Sequence, residues 1–170
     1  MNDSGNEDIY YEEISMPRVI RLILYVALVA MLAGLFLPFL FGDDDLSGWM
    51  IWVYATGMSV ATITTAILVT WFRKLIIWVD DNYVVFGYGR FRKRFTYDQI
   101  RSVKETPYSY LKYGGSGIRY ARHGHRAWSV PLVHTGVEIK LNEAGKERTY
   151  YVSSRTAEEL ERKISQRLSP

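Results

Sequence analysis

The sequence contains no cysteine among its 170 residues. Without thiols, the chain cannot form structural disulfides or a thiolate metal site. This composition fits a reducing compartment such as the cytoplasm. The absence therefore excludes the class of small secreted domains that disulfides stabilise.

Charged residues are absent from two long segments, Leu22–Phe41 and Trp49–Phe72. These segments have 20 and 24 residues, and a helix of about 20 residues crosses a hydrocarbon core of about 30 Å. Only Gly42–Gly48 separates them, so they can form only a hairpin with both ends on one side of a membrane. We predict a transmembrane hairpin over residues 19–73, with helices at about 20–41 and 49–72.

Basic residues are missing from the connecting loop, which contains Asp43–Asp45, but they flank the hairpin as Arg18, Arg21, Arg73 and Lys74. Because basic flanks stay on the cytoplasmic side, both termini are expected in the cytoplasm of a multi-pass protein of the inner or plasma membrane. Neither apolar segment contains histidine or a charged residue, so the sequence offers no proton relay, ion site or gating charge. A transporter or channel is therefore disfavoured.

Small residues recur at intervals of four in both apolar segments. They are Ala30 and Gly34 in the first, and Gly57, Ala61 and Thr65 in the second. Such spacing lets helix backbones approach closely in lipid. The pattern favours packing within the hairpin slightly over formation of a dimer, and both alternatives stay open.

Basic residues are also absent from the first 16 positions, which hold five acidic ones. We interpret residues 1–18 as an acidic cytoplasmic tail and residues 74–170 as one small cytoplasmic domain. From Arg73 onwards there are 19 Lys and Arg against 10 Asp and Glu. Such a basic domain beside a membrane would be attracted to anionic headgroups, although the ordinary cytoplasmic excess of basic residues explains the charge equally well.

Alternation of apolar and polar residues predicts that this domain is mainly β. The chain changes to a helical period at the end, where Thr156 and Glu159 form a capping-box pattern before an apolar stripe. We predict a sandwich or barrel capped by a C-terminal helix at about 156–168. The expected strands are 75–79, 83–86, 91–97, 100–104, 137–141 and 148–152, with a weaker one at 128–130 and a hairpin turn at 142–145.

Four features carry a resemblance to a known group. They are the strand–turn–strand segment Ile76–Phe95, the stretch Tyr97–Val103, the glycine-rich loop Gly114–Arg119, and the terminal helix. Together with the two membrane segments, they resemble the uncharacterised pleckstrin-homology-like (PH-like) membrane proteins of bacteria and archaea. The resemblance implies a PH-type β-sandwich capped by the helix, and it implies no catalytic residues.

Two further motifs contain residue types that occur in ligand or metal sites. The loop Gly114–Gly117 lacks the spacing of a phosphate-binding loop and its strand–helix context, so an ordinary loop is favoured. His123, His125 and His134 have no cysteine and no carboxylate nearby in sequence to complete a metal site. With no nucleophile elbow either, we expect no enzyme activity, no metal and no cofactor.

The strongest chemical feature is the basic run Arg90–Arg94. On a strand, Arg92 and Arg94 project together and Lys93 points to the opposite face. The run departs from the basic pattern that phosphoinositide-binding PH domains carry on their first two strands. Generic binding of anionic lipid is one hypothesis, docking of the acidic tail is a second, and a solvated sheet face is the third. The hypothetical lipid or anion site comprises Arg73, Lys74, Arg90, Arg92, Lys93 and Arg94.

Arginine and tyrosine interleave in the middle of the domain, as they do in single-strand nucleic-acid sites. The chain contains no recognisable nucleic-acid module, so nucleic acid is not an expected partner. The expected partners are the bilayer, anionic headgroups, and a membrane protein or a second copy of the chain. The sequence predicts a non-enzymatic, membrane-tethered binding or scaffolding module; the alternative is an accessory subunit of a membrane enzyme or transporter complex. The interleaved residues are Tyr108, Tyr110, Tyr113, Arg119, Tyr120 and Arg122.

Overall fold

The computed structural model describes residues 9–41, 48–143 and 145–168 of the chain. It divides into two compact units, a helical unit of residues 17–73 and a β-domain formed by residues 1–16 together with 74–170. The predicted outer loop Asp43–Asp45 and the first half of the predicted tail lie outside the described residues.

The helical unit consists of α1 (Arg18–Phe41) and α2 (Gly48–Trp71). Both helices are long and apolar enough to cross a membrane. They contact each other through two polar side chains: the Tyr54 hydroxyl donates to the Gly34 carbonyl at 2.7 Å, and the Thr65 hydroxyl lies 3.5 Å from the Met31 sulfur.

The small residues contribute unequally to this contact. A Cβ added to Gly34 would lie 3.1 Å from the Met58 methyl group, whereas one added to Gly57 would have no neighbour within 4 Å. Ala30 is exposed, like Gly57. The described helices therefore pack as a hairpin through Gly34 and Thr65, and they leave Ala30 and Gly57 on the outer surface.

The β-domain contains two separate sheets. One has the order β1-β2-β3-β4 and is antiparallel throughout. The other has the order β5-β8-β9-β7-β6, in which only β7 and β9 run parallel. Within the described residues neither sheet closes into a barrel. The strands are β1 (Tyr10–Ser15), β2 (Lys74–Val79), β3 (Tyr83–Tyr88), β4 (Phe91–Thr96), β5 (Ile100–Glu105), β6 (Gly117–Tyr120), β7 (His125–Ser129), β8 (Gly136–Glu143) and β9 (Lys146–Ser153).

The two sheets share an aromatic core. Phe86 of β3 meets Trp128 and Tyr150 of the second sheet at centroid distances of 5.6 and 5.9 Å, and Phe95 lies 5.0 Å from Tyr150. The helix α4 (Ala157–Leu168) packs on β5 and buries its apolar stripe. A single turn of helix, α3 (Tyr110–Tyr113), lies between β5 and β6. The buried stripe of α4 is Ala157, Leu160 and Ile164.

The predicted acidic tail requires a correction, because Tyr10–Ser15 of that segment form the edge strand β1. The strand pairs with β2 along its whole length, from Tyr10 opposite Val79 to Ser15 opposite Lys74. Tyr10 and Ile14 are buried, while the residues between them are more exposed. Glu12 and Glu13 gave the segment the composition of a solvated tail and concealed the strand.

Candidate functional site

The hairpin between β3 and β4 carries the predicted basic run. Arg90 lies in its two-residue turn, and Arg92 lies on the outer face of β4; both are exposed. Gly87 of β3 lies opposite Arg92 and permits the close approach of β4, because its φ is +152° and a Cβ there would lie 2.2 Å from the Phe91 carbonyl oxygen. The two arginines are therefore presented to solvent by a tightly paired hairpin.

The other predicted cations have different partners. Arg94 lies on the same face of β4 as Arg92 and is also exposed. The Lys74 ammonium is 2.5 Å from Glu13 on β1. The Arg94 guanidinium lies 3.7 Å from the ring centroid of Tyr83. Arg73 is exposed and belongs to the helical unit. The structure thus divides the predicted site into separate environments.

Lys93 has the most distinctive environment of the predicted residues. It pairs with Phe86 across β3 and β4, so it lies on the face that builds the core. Its ammonium is 3.8 Å from Glu143 at the end of β8. Arg148 contacts the same carboxylate, and the Tyr150 hydroxyl donates to it at 2.9 Å.

A fifth residue, Arg126 of β7, completes this group. Its guanidinium donates to the Tyr150 hydroxyl at 2.8 Å and lies 3.7 Å from Glu143. It also lies over the rings of Tyr120 and Tyr150, at 5.2 and 5.5 Å from their centroids. We call Lys93, Arg126, Glu143, Arg148 and Tyr150 the Glu143 cluster.

The Tyr150 hydroxyl and the three cations of the cluster together lower the pKa of Glu143. Burial raises the pKa of the Glu143 carboxyl, but the Tyr150 hydrogen bond and the nearby Arg148, Lys93 and Arg126 outweigh it, so this pKa lies below the ordinary value. Burial, followed by hydrogen bonding to the Glu143 carboxylate, raises the pKa of Tyr150. At neutral pH the cluster therefore holds three positive charges against one negative charge.

The sequence predicts Lys93 as a site residue but does not indicate the other four members of the Glu143 cluster. They come from three strands of the second sheet, β7, β8 and β9. Arg148 is near Glu143 across the predicted hairpin, which was a usable signal. Nothing in the sequence indicated that β4 would bring Lys93 to the same carboxylate.

A second polar group occupies the other side of the second sheet. Glu138 accepts hydrogen bonds from Lys112 at 2.5 Å and from the Tyr113 hydroxyl at 2.6 Å. Burial raises the pKa of Glu138, but these two bonds outweigh it and leave that pKa below the ordinary value. The rings of Tyr108, Tyr113 and Tyr151 pack against each other beside this carboxylate, at centroid distances of 5.0 to 5.7 Å. The arrangement attaches α3 to the sheet.

The carbonyl groups of the glycine-rich loop accept hydrogen bonds from neighbouring side chains. The Tyr108 hydroxyl donates to the Gly115 carbonyl at 2.9 Å, and Arg119 Nε donates to the same carbonyl at 3.1 Å. A phosphate site would need backbone amides directed at a ligand, whereas the contacts of this loop are made through its carbonyl groups. They therefore do not support a phosphate site in the loop. Among the described residues, no group of three or more His, Asp or Glu side chains is placed to hold a metal ion.

Comparison of the chain with protein-family models, with curated proteins and with solved structures finds no match. The function must therefore be argued from this chain's own geometry and charge. Two features carry that argument: the exposed arginines of the β3–β4 turn and the partly buried Glu143 cluster.

Proposed function

We propose that this chain is a non-enzymatic, membrane-tethered binding module. In this proposal α1 and α2 span the cell membrane, and a PH-like β-domain on the cytoplasmic side contacts anionic lipid headgroups. The observation that carries it is the chain path. The helical unit is inserted between β1 and β2, which pair with each other as antiparallel neighbours.

This insertion gives the β-domain two short covalent connections to the helices. Residues 16–17 join β1 to α1, and residues 72–73 join α2 to β2. Two residues add at most about 7 Å of chain, so a domain joined in this way stays near a bilayer that the helices cross. Its lipid contacts then form at high effective concentration, and weak individual contacts suffice.

The exposed arginines of the β3–β4 turn supply such contacts. Each Lys or Arg near an anionic leaflet contributes about 1 kcal/mol. Arg90 and Arg92 are exposed. Arg94 is also exposed, but its guanidinium lies over the Tyr83 ring, and Lys74 is paired with Glu13. The lipid contact proposed here therefore depends on Arg90 and Arg92 rather than on the whole predicted set.

The full-length protein in lipid nanodiscs tests this contact. The chain has no native cysteine, so a polarity-sensitive fluorophore can be attached to Phe91→Cys without background. We expect its emission to shift to shorter wavelength when an anionic phospholipid is added to zwitterionic nanodiscs. Replacing both Arg90 and Arg92 by Ser should abolish the shift, and replacing the exposed Arg101 and Lys104 by Ser should preserve it. An unchanged emission of labelled Phe91→Cys with both arginines intact would reject the lipid contact.

Orientation is tested separately with single cysteines in intact cells. A membrane-impermeant maleimide should label Asp44→Cys in the loop between the helices. It should label Asp98→Cys in the β-domain only after the membrane is permeabilised. Labelling of Asp98→Cys in intact cells would place the β-domain outside and contradict the cytoplasmic assignment.

A second candidate function is docking of a protein partner, as in the accessory subunit of a membrane complex. It is favoured by the exposed apolar residues Tyr110, Leu111 and Leu132. The helical turn α3, which carries Tyr110 and Leu111, adjoins the loop of Leu132, because the Tyr108 amide donates to the His134 carbonyl at 2.7 Å. Leu132 also has a φ of +63°, an uncommon conformation for a branched residue.

Site-directed cross-linking distinguishes this second function from lipid binding. A cleavable cross-linker on Leu111→Cys should capture a defined protein in native membranes, and the same reagent on Asp98→Cys should not. Replacing Leu132 by Ser should reduce the capture through position 111. Equal capture through both positions would show that the exposed apolar residues of α3 and of the Leu132 loop are not an interface.

A further inference from the structure

We propose that the Glu143 cluster is a binding site for a phosphate group, with Lys93 and Arg126 as its direct donors. This site lies apart from Arg90 and Arg92, and the inference does not depend on the proposed lipid contact. It assigns a ligand class to residues of both sheets that the membrane tether leaves without a role.

The first step is the charge of the cluster. Arg148 contacts Glu143 directly and neutralises it. Lys93 and Arg126 lie 3.8 and 3.7 Å from the same carboxylate, which is longer than a hydrogen bond. Among the described residues these two cations are therefore only loosely paired, and together they leave a net charge of +2 in the cluster.

The second step is burial. The Arg126 side chain is 19% exposed and the Lys93 side chain is 36% exposed. A partly buried charge without a close opposite charge is costly. Arg126 has a neutral hydroxyl partner in Tyr150, and Lys93 has the Glu143 carboxylate at 3.8 Å, so both charges stay incompletely compensated. An anion bound between the two side chains would compensate both charges at once, which an exposed pair of cations would not need.

The third step is preorganisation. The Arg126 guanidinium is held by the Tyr150 hydroxyl at 2.8 Å and by the ring of Tyr120. Tyr150 is itself fully buried. A guanidinium fixed in this way uses one of its five N–H groups and keeps others for a ligand. Binding then costs little side-chain entropy.

These properties select the ligand. A phosphate monoester carries up to two negative charges, which match the excess of the cluster, and its oxygens suit the planar donors of arginine. The phosphate could belong to a lipid headgroup or to a soluble molecule, and both share this chemistry. The alternative explanation is that Lys93 is an inward-pointing charge that protects the β4 edge from strand pairing, which would require no ligand.

Thermal unfolding of the full-length protein in zwitterionic nanodiscs tests the site, with inorganic phosphate as the probe and chloride at equal ionic strength as the control. We expect phosphate to raise the unfolding midpoint by mass action. Arg126→Gln and, as a milder change at a more exposed position, Lys93→Gln should each reduce the apparent affinity at least several-fold. Lys93→Arg should largely retain it. Circular dichroism checks that each variant is folded.

Glu143→Gln provides the sharpest variant, because it removes the internal anion that competes with phosphate. It should bind phosphate several-fold more tightly than the parent chain, whereas a purely structural cluster would only lose stability. Arg90→Gln combined with Arg92→Gln should leave phosphate binding unchanged, so failure of the lipid contact and failure of this site are distinguishable. No phosphate effect in the parent chain and in Glu143→Gln, or an equal effect in Arg126→Gln, would overturn the proposal.

The source of the phosphate is decided by a second arm. Nanodiscs that contain phosphatidic acid, a lipid phosphate monoester, should abolish the response to added phosphate if the site takes a headgroup. An unchanged response in those nanodiscs would assign the site to a soluble phosphate compound. Either result identifies the source once phosphate binding itself has been shown.

Discussion

Ser15 and Lys74 are direct partners in the β1–β2 pair, although both long helices lie between them in the sequence. An ordinary connection between antiparallel neighbours is two to five residues long. Here the connection is the helical unit itself, so the edge strand can join its sheet only after the chain has passed through both helices. A helical hairpin, whose two outer ends lie close together, satisfies this requirement.

Glu12 joins β1 to the start of α4, so its removal should destabilise the β-domain. Its carboxylate accepts hydrogen bonds from the Ser154 hydroxyl at 2.6 Å and the Arg155 amide at 2.8 Å. The Tyr10 hydroxyl also donates to it, at 2.7 Å. We expect Glu12→Gln to cost about 2 kcal/mol, the magnitude for hydrogen bonds to a charged group, measured by hydrogen exchange of α4 amides.

Glu13→Gln is the matched control for this prediction. Glu13 is the next residue on the strand, and it forms an ion pair with Lys74. The Glu13 side chain is 33% exposed and the Lys74 side chain is 41% exposed. Exposed pairs contribute at most about 1 kcal/mol. Equal exchange rates in the two variants would show that the contacts of Glu12 do not hold β1 to α4.

The sequence predicts most of the β-domain because alternation is strong wherever one strand face is buried. The strands β2, β3, β4, β5, β8 and β9 and the helix α4 all follow the predicted pattern. The sequence does not predict β1, because its glutamates lie on its more polar positions and give it the composition of a solvated segment. Glu12 in fact contacts the start of α4. The sequence does not predict β6 either, because Gly117–Tyr120 is too short to show alternation of apolar and polar residues.

The candidate site was less predictable than the strands that build it. Periodicity states which face a side chain occupies, and it correctly separates Lys93 from Arg92 and Arg94. It does not state which residues of another sheet will face that side chain. The contact of Lys93 with Glu143 depends on how two sheets pack, and that packing is long-range information that a local pattern lacks.

Within the helical unit, Gly34 and Gly57 should respond differently to the same substitution. A leucine at Gly34 must displace Met58 and Tyr54, which lie 3.1 and 3.6 Å from its Cβ position, whereas a leucine at Gly57 meets nothing within 4 Å. Oxidative cross-linking of Met31→Cys to Thr65→Cys reports the contact, since these side chains are 3.5 Å apart. We expect Gly34→Leu to reduce cross-linking strongly and Gly57→Leu to preserve it.

Tyr150 and Tyr151 are adjacent and fully buried, but their hydroxyl groups differ. The Tyr150 hydroxyl bonds to Arg126 and Glu143. The Tyr151 hydroxyl is near Ser153 but completes no hydrogen bond among the described residues. We expect Tyr150→Phe to lower the stability of the β-domain by about 2 kcal/mol and Tyr151→Phe to raise it by about 1 kcal/mol. Urea unfolding of the two variants measures both changes. Destabilisation by Tyr151→Phe would contradict the finding that the Tyr151 hydroxyl makes no hydrogen bond among the described residues.

His125 should make the stability of the β-domain depend on pH below 6.5. Burial lowers the pKa of its imidazole below the ordinary value of 6.5, and Lys112, His123 and Lys140 lower it further, whereas Glu138 opposes them. A depressed pKa means that the unfolded chain binds the proton more readily than the folded one. Stability is therefore full above pH 6.5 and is lost as the pH falls toward the pKa of the folded protein.

His125→Gln tests this dependence, because glutamine does not titrate. The unfolding midpoint of the parent chain should fall as the pH drops below 6.5, and that of His125→Gln should fall less. His134→Gln, at an exposed histidine, should behave like the parent chain. The depressed carboxyl pKa values of Glu138 and Glu143 act only below the ordinary value of 4.5, so their loss of stability occurs in a lower pH range. If the unfolding midpoints of His125→Gln and of the parent chain depended on pH in the same way between pH 4.5 and 6.5, the imidazole would not be the group that titrates.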